Sequence, residues 1–107
     1  MTSLSEREKR VGLHLPVEVS GLNAAGRTFA ESTRTLNISG GGVCFESGQN
    51  LTVGCRLSLH IRVPEALRRH FGGKPVYHAR ALVCRVERFE GEDHARVGAR
   101  FLGELEA

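Results

Sequence analysis

Residues 37–42 read Asn-Ile-Ser-Gly-Gly-Gly, which combines two short polar side chains with three successive glycines. The segment interrupts an otherwise apolar stretch with the composition of β-strands. Glycine reaches positive φ angles without steric cost, and it has no Cβ to keep another group away from the main chain. The segment therefore predicts either a sharp corner between two strands or a place where something approaches the backbone closely.

A second distinctive segment is the basic cluster of residues 6–10, which reads Glu-Arg-Glu-Lys-Arg. Arg7, Lys9 and Arg10 stand directly before the first predicted strand, where their side chains could hold an anion. A charged run at a chain terminus is more commonly a solvated end without a ligand. Taken alone, the cluster leaves both interpretations open.

Other kinds of site are disfavoured by spacing or by context. The glycine run is followed neither by Lys-Ser/Thr nor by a predicted helix, as a phosphate-binding loop or a dinucleotide-binding turn would require. Cys44, Cys55 and Cys84 form no Cys-x2-Cys pair, and the histidines show no zinc spacing. No acid, base or nucleophile is tied by spacing to a partner. We therefore expect no metal, no cofactor and no enzymatic activity.

Length and composition indicate one globular domain of 107 residues, 40% hydrophobic and 25% charged. Fifteen Lys and Arg against 12 Asp and Glu give a net charge of +3, which permits an anionic partner without requiring one. Three cysteines and an N-terminal segment without an apolar core predict a reducing, cytoplasmic location. No apolar run is long enough to span a membrane as a helix, so we expect no membrane insertion.

Alternating apolar and polar residues predict six short strands with little helical periodicity. The predicted strands cover residues 11–19, 27–38, 43–46, 55–63, 76–89 and 95–105. Pro16 lies on the polar face of the first strand, and a change of apolar parity near Val83 predicts a bulge in the fifth. Residues 64–75 read as a loop with room for one helical turn. This pattern predicts an all-β fold, a small antiparallel barrel that closes to remove its edges.

We divide the chain into an N-terminal arm, residues 1–10, and a barrel domain, residues 11–107. The segment directly before Val11 has no apolar anchor, so we expect the arm to be flexible until a ligand orders it.

Four segments together resemble the PilZ domain family: KRVGLHLPVEV, TLNISGGGVCFE, GCRLSLHIRVP and ARVGARFLGEL. The resemblance extends from about residue 6 to residue 105. It implies a small six-stranded barrel, and many members of the family bind the bacterial messenger cyclic di-GMP. The family's two ligand motifs are RxxxR ahead of the first strand and [D/N]xSxxG between the second and third strands.

This chain meets the second motif in full and the first in part. Asn37, Ser39 and Gly42 supply the NxSxxG pattern. Arg10 stands at the second arginine position of the first motif, but the residue four positions earlier is Glu6, so that the chain reads RxxR. The upstream arginine is Arg7. The resemblance implies that cyclic di-GMP is bound by Arg7, Arg10, Asn37, Ser39 and Gly42.

The implied roles follow the chemistry of the messenger. An arginine fork pairs bidentately with a phosphate or with O6 and N7 of guanine. Asn37 and Ser39 would contact guanine edge atoms, and the glycines would let the backbone approach. Two arginines and a self-complementary guanine ligand also imply an intercalated dimer of cyclic di-GMP. We therefore expect a receptor or adaptor domain that acts on a downstream protein partner.

Two other hypotheses stay open at this point. Glu6 favours a PilZ-like barrel that does not bind the messenger and acts as a protein interaction module. The third is a nucleic-acid-binding barrel, which the positive charge permits. Such surfaces stack bases on aromatic side chains, and this chain has only five Phe and one Tyr. We expect no nucleic-acid partner.

Overall fold

The computed structural model describes residues 12–105, which form six strands and one 3-10 helix (Glu65–Phe71). The strands are β1 (Pro16–Leu22), β2 (Thr28–Ile38), β3 (Gly42–Ser47), β4 (Arg56–Arg62), β5 (Val76–Arg88) and β6 (Ala95–Glu104). The predicted arm, with Arg7 and Arg10, lies outside the described residues.

Hydrogen bonding joins the strands into a closed barrel in the order β1-β2-β3-β6-β5-β4. Every neighbouring pair is antiparallel. The predicted six-stranded antiparallel barrel is confirmed. Because successive strands run in opposite directions, the β2–β3 connection and the start of β1 lie at one end, and the β1–β2 and β5–β6 turns lie at the other.

The first strand begins later than the alternation predicts. Instead of residue 11, β1 starts at Pro16 and continues to Leu22. The N–H of Leu15 donates to the side-chain Oγ1 of Thr35 at 2.9 Å rather than to a backbone carbonyl. Proline at the next position has no N–H to give to the ladder. Regular pairing therefore stops at Pro16, and residues 12–15 continue beside β2 without strand geometry.

The core fills the inside of the barrel with apolar side chains from all six strands. Its buried members in the strands are Val17, Val19, Ile38, Val43, Phe45, Leu57, Leu59, Ile61, Ala81, Val83, Val97 and Ala99. In β4, the predicted inward residues Leu57, Leu59 and Ile61 are buried, and Arg56 and Arg62 are exposed. Each fully buried Leu or Ile contributes about 1.5–3 kcal/mol relative to an exposed one. Burial of the inward-facing side chains of the strands therefore supplies most of the free energy that favours closure of the barrel.

Two irregularities in the second half of the chain also bear on the predictions. The β5–β6 register shifts between Val83 and Arg85, which confirms the predicted bulge and leaves Cys84 as the extra residue. The predicted loop 64–75 contains the 3-10 helix, which is longer than the single turn expected. Gly72 ends that helix in the left-handed conformation, with φ 71°.

Candidate functional site

The Asn37–Gly42 segment forms the corner between β2 and β3 at one end of the barrel. Ser39 closes this corner: its backbone N–H donates to the carbonyl of Gly42 at 2.9 Å, and its Oγ lies 3.3 Å from the N–H of Gly41, which donates to it. None of the three glycines has a positive φ angle. The predicted corner between two strands is present, and the Ser39 bonds close it without a left-handed glycine.

The close approach predicted for this segment is the approach of another strand. Gly42 is buried, and a Cβ at this position would collide with the carbonyl oxygen of Ala99 in β6. The N–H of Phe101, also in β6, donates to the carbonyl of Gly41 at 2.9 Å. By contrast, a Cβ at Gly40 or Gly41 would meet nothing within 4 Å. The corner is fixed by β6 on one side and is open on the other, where a ligand can lie against the main chain.

A bulge in β2 decides which way Asn37 faces. The β2–β3 register shifts between Thr35 and Asn37, so these two residues do not share a face as they would in a regular strand. Thr35 is buried, whereas half-buried Asn37 pairs with Cys44, and Ile38 joins the core. The bulge thus places Asn37 on the outer face, beside the open side of the corner. The sequence prediction missed this bulge.

Thr35 also fixes the chain directly before β1 against β2. Its Oγ1 accepts from the N–H of Leu15 at 2.9 Å and donates to the carbonyl of Leu13, and its own N–H donates to the carbonyl of Leu15 at 2.9 Å. The chain before Pro16 is antiparallel to β2, so followed backwards it leads towards Asn37. Sequence reasoning missed Thr35, although a hydroxyl at an inward strand position signals a buried polar contact.

The structure therefore brings Asn37, Ser39 and Gly42 together in one corner, and residues 13–15 contact β2 at Thr35, two residues before Asn37. Arg7 and Arg10 are not among the described residues. Within residues 12–105, no group of three or more His, Cys, Asp or Glu side chains could hold a metal ion. No described helix is long and apolar enough to cross a membrane.

Comparison with known proteins places this corner in a family. The model of the PilZ domain matches residues 5–107. A search of curated protein sequences gave no match. Among solved structures, the Bacillus subtilis inhibitor of motility MotI/DgrA is similar, with 20% identity and a TM-score of 0.68 over 90% of this chain and 42% of that one. The present chain thus spans about two fifths of that protein.

A second similar structure is the PilZ domain of YcgR from Escherichia coli, which was solved with cyclic di-GMP. The identity is 18% and the TM-score 0.57, over 89% of this chain and 76% of that one. At such identities the likeness shows the shared fold. The family match covers nearly the whole sequence and includes both the arginine-rich segment before β1 and the NxSxxG corner, so this chain belongs to the PilZ domain family.

Proposed function

We propose that this PilZ domain is a cytoplasmic, non-catalytic receptor for cyclic di-GMP, bound between the N-terminal arm and the NxSxxG corner. One observation carries the proposal beyond family membership. Thr35 ties residues 13–15 to β2 two residues before Asn37, so the chain that follows the arginine-rich segment lies beside the strand that leads into the NxSxxG corner. Arg10 is two residues before Gly12, the first described residue.

The chemistry of the corner suits a guanine nucleotide. The side-chain carbonyl of Asn37 can accept from N1 or N2 of guanine. Ser39 Oγ accepts from Gly41 and keeps further hydrogen-bonding capacity, because a hydroxyl has one donor and two acceptor sites. Exposed main chain at Gly40 and Gly41 lets the ring approach. Arg7 and Arg10 would supply the guanidinium groups for phosphate or for guanine O6 and N7.

The two similar structures support the two halves of this proposal. The YcgR domain was solved with cyclic di-GMP, which supports the choice of cyclic di-GMP as the ligand. MotI/DgrA is an inhibitor of motility, which supports an adaptor that acts on another protein. We propose that ligand binding at the corner changes how this domain engages a downstream protein partner.

Titration calorimetry with cyclic di-GMP tests the proposal on the full chain and on Arg10→Ala. The wild type should bind. Arg10→Ala should weaken binding by about a hundredfold or more, because a bidentate arginine contact contains two charge-assisted bonds of about 1.5–3 kcal/mol each. Arg27→Ala is the matched control: Arg27 is exposed in the β1–β2 turn at the opposite end of the barrel, so its loss should leave the affinity unchanged.

The same titration separates the remaining hypotheses. Two ligands per chain at saturation would support an intercalated dimer of cyclic di-GMP, and one would contradict it. A folded wild-type protein that shows no binding would refute the receptor and favour the protein interaction module. Equal binding by wild type and Arg10→Ala would refute the role of the arm.

A further inference from the structure

We propose that the outer face of β4, together with the adjoining part of β5, is a docking surface for an acidic segment of the downstream partner protein. This basic face consists of Arg56, His60 and Arg62 of β4 with His78 and Arg80 of β5. The inference rests on the adaptor half of the proposed function. It adds the place of the contact with the partner and the chemistry of that contact.

The outward positions of β4 carry basic and polar side chains at regular intervals. Every second residue of this strand is buried in the core, so Arg56, Ser58, His60 and Arg62 point outwards. The two arginines are exposed at the ends of this row, and the serine and the histidine between them are half-buried. Side chains two residues apart in a strand are about 6.6 Å apart, so the row is roughly 20 Å long. It therefore has a polar middle between two exposed cations.

The strand register continues the basic face onto β5. His60 pairs with His78, and Ser58 pairs with Arg80, so the paired side chains share the outer face. The two imidazole rings stack with centres 3.7 Å apart, and Ser58 Oγ is 3.0 Å from Nε2 of His78. Imidazole, hydroxyl and guanidinium groups can all donate hydrogen bonds, and carboxylate oxygens accept them. The basic face thus offers a compact set of donors to an acidic side chain.

In the described part of the chain, the arginines of the basic face have no acid bound to them. Glu18 of β1 pairs with His60, but its carboxylate accepts from the hydroxyl of Ser32, on the side away from that histidine. Within residues 12–105 the ion pair present is Lys74–Glu104, and no carboxylate lies within 4.0 Å of the three arginines. Arginine pairs bidentately with carboxylates, so these side chains suit the acids of another molecule.

The basic face lies on the other side of the barrel from the strand that follows the NxSxxG corner. In the closed order β1-β2-β3-β6-β5-β4, β4 is three strands from β3 in either direction, so the two strands are opposite each other. The corner leads directly into β3. A protein bound to β4 would therefore leave the proposed ligand site uncovered. An adaptor that holds messenger and partner together needs such a separation.

The composition of the basic face favours an acidic protein over a nucleic acid or a membrane. β4 contains no Phe, Tyr or Trp on which bases could stack. Surfaces that bind membranes combine basic residues with apolar side chains that enter the lipid. The exposed large hydrophobic residues of the described chain are Leu22, Val53, Phe89 and Leu102, and none of them belongs to β4 or β5. Charge complementarity with side-chain carboxylates is the contact that this face can make.

Fluorescence anisotropy with a labelled synthetic peptide of alternating Glu and Ser tests the inference on the full chain. An extended peptide of this sequence has carboxylates at the spacing of the outward side chains of β4. The wild type should bind it and should not bind a peptide of alternating Gln and Ser. Arg56→Gln/Arg62→Gln should bind the acidic peptide about tenfold more weakly, because two charge pairs on an exposed face are lost.

Arg96→Gln/Arg100→Gln is the matched control. It removes the same two charges from exposed positions of a single strand, β6, which lies next to β3. We expect this variant to bind the acidic peptide within about twofold of the wild type, since its charges are distant from the basic face. Thermal unfolding verifies that both double variants are folded.

Three results of the peptide titration would overturn the inference. The first is a wild type that does not bind the acidic peptide. The second is equal binding by the wild type and Arg56→Gln/Arg62→Gln. The third is equal weakening by the two double variants, which would show attraction by net charge alone. Binding to phosphatidylglycerol vesicles that depends on Arg56 and Arg62, without binding to the peptide, would assign the face to a membrane and would also overturn the inference.

Calorimetry with cyclic di-GMP separates this inference from the receptor. Arg56→Gln/Arg62→Gln should bind the messenger as the wild type does, and a loss of messenger binding would contradict the separation of the two surfaces. If the wild type binds the messenger but not the acidic peptide, the receptor stands and the docking surface is wrong. If it binds the peptide through the basic face but not the messenger, the docking surface stands and the receptor is wrong.

Discussion

Single residues of the Asn37–Gly42 corner divide between those that hold the backbone and those that leave it exposed. Gly42 has no side chain because β6 occupies that space, and its replacement would push the strands apart. Ser39 has a double role, since its hydroxyl braces the turn and still has hydrogen-bonding capacity. Gly40 and Gly41 meet no neighbour where a side chain would be. The last glycine of the motif thus serves the fold, and the first two leave the main chain accessible.

Position 6 is where the chain departs from the RxxxR pattern, and Arg7 is the nearest alternative. We expect Arg7→Ala to weaken cyclic di-GMP binding by about 1.5–3 kcal/mol, the value of a charge-assisted hydrogen bond, and Glu6→Arg to change it little. The reason is that an arm without an apolar anchor can shift its path so that Arg7 makes the contact. Calorimetry on the two variants measures both effects.

The opposite pattern would show a fixed arm. If Glu6→Arg tightens binding and Arg7→Ala has no effect, the spacing of four residues is obligatory and the carboxylate at position 6 repels the ligand. If neither variant changes the affinity, neither residue contributes to binding. The hypothesis that the domain is a protein interaction module then gains support.

Between elements, the contact of residues 13–15 with β2 determines where the N-terminal chain meets the barrel. It depends on one buried hydroxyl, that of Thr35, which satisfies two backbone groups of a segment outside the regular ladder. Buried backbone groups without a partner are costly, so this side chain holds the segment in place.

Thr35→Val should therefore destabilise the fold by about 1–3 kcal/mol, because a side chain of the same shape leaves the Leu15 N–H and the Leu13 carbonyl without a partner. Ligand affinity should fall as well, because residues 13–15, which follow the arm, would no longer be held against β2 by this side chain. Urea unfolding measures the first effect and calorimetry the second. The matched control is Thr33→Val, which removes one bond, to the carbonyl of Glu46, at a half-buried position. Equal stability of the two variants would contradict this role of Thr35.

A second contact between elements joins two histidines. His60 of β4 and His78 of β5 stack with ring centres 3.7 Å apart, and Ser58 Oγ is 3.0 Å from Nε2 of His78. Burial and the neighbouring His60 lower the pKa of His78. The unfolded chain therefore takes up this proton first as the pH falls, so the contribution of His78 to stability is complete above about pH 6.5 and decreases below it.

We expect the free energy of unfolding of the wild type to fall more between pH 7.5 and pH 5.5 than that of His78→Asn. Urea unfolding at the two pH values gives the comparison. His94→Asn changes an exposed histidine in the β5–β6 turn and should behave like the wild type. A His78→Asn variant with the pH dependence of the wild type would show that the pKa of His78 does not change on unfolding.

At the level of the whole molecule, local patterns predict the barrel but not the contacts that shape its site. Period-two alternation identifies all six strands, and the parity change near Val83 locates the β5 bulge. The start of β1 at Pro16 and the outward position of Asn37 depend on Thr35 and on the β2 bulge, which involve residues distant in sequence. The resemblance to PilZ domains identifies the corner, whereas the contact of Gly42 with β6 requires the register of strands that are not consecutive.

The proposed site of cyclic di-GMP lies between the arm and the NxSxxG corner, and amide NMR of the 15N-labelled full chain tests this position most directly. Addition of the ligand should shift the signals of Arg10, Ser39, Gly40 and Gly41. The signals of Gly26 and Gly91, in turns at the opposite end of the barrel, should not move. No shift at saturating ligand, or shifts confined to the opposite end, would contradict the account.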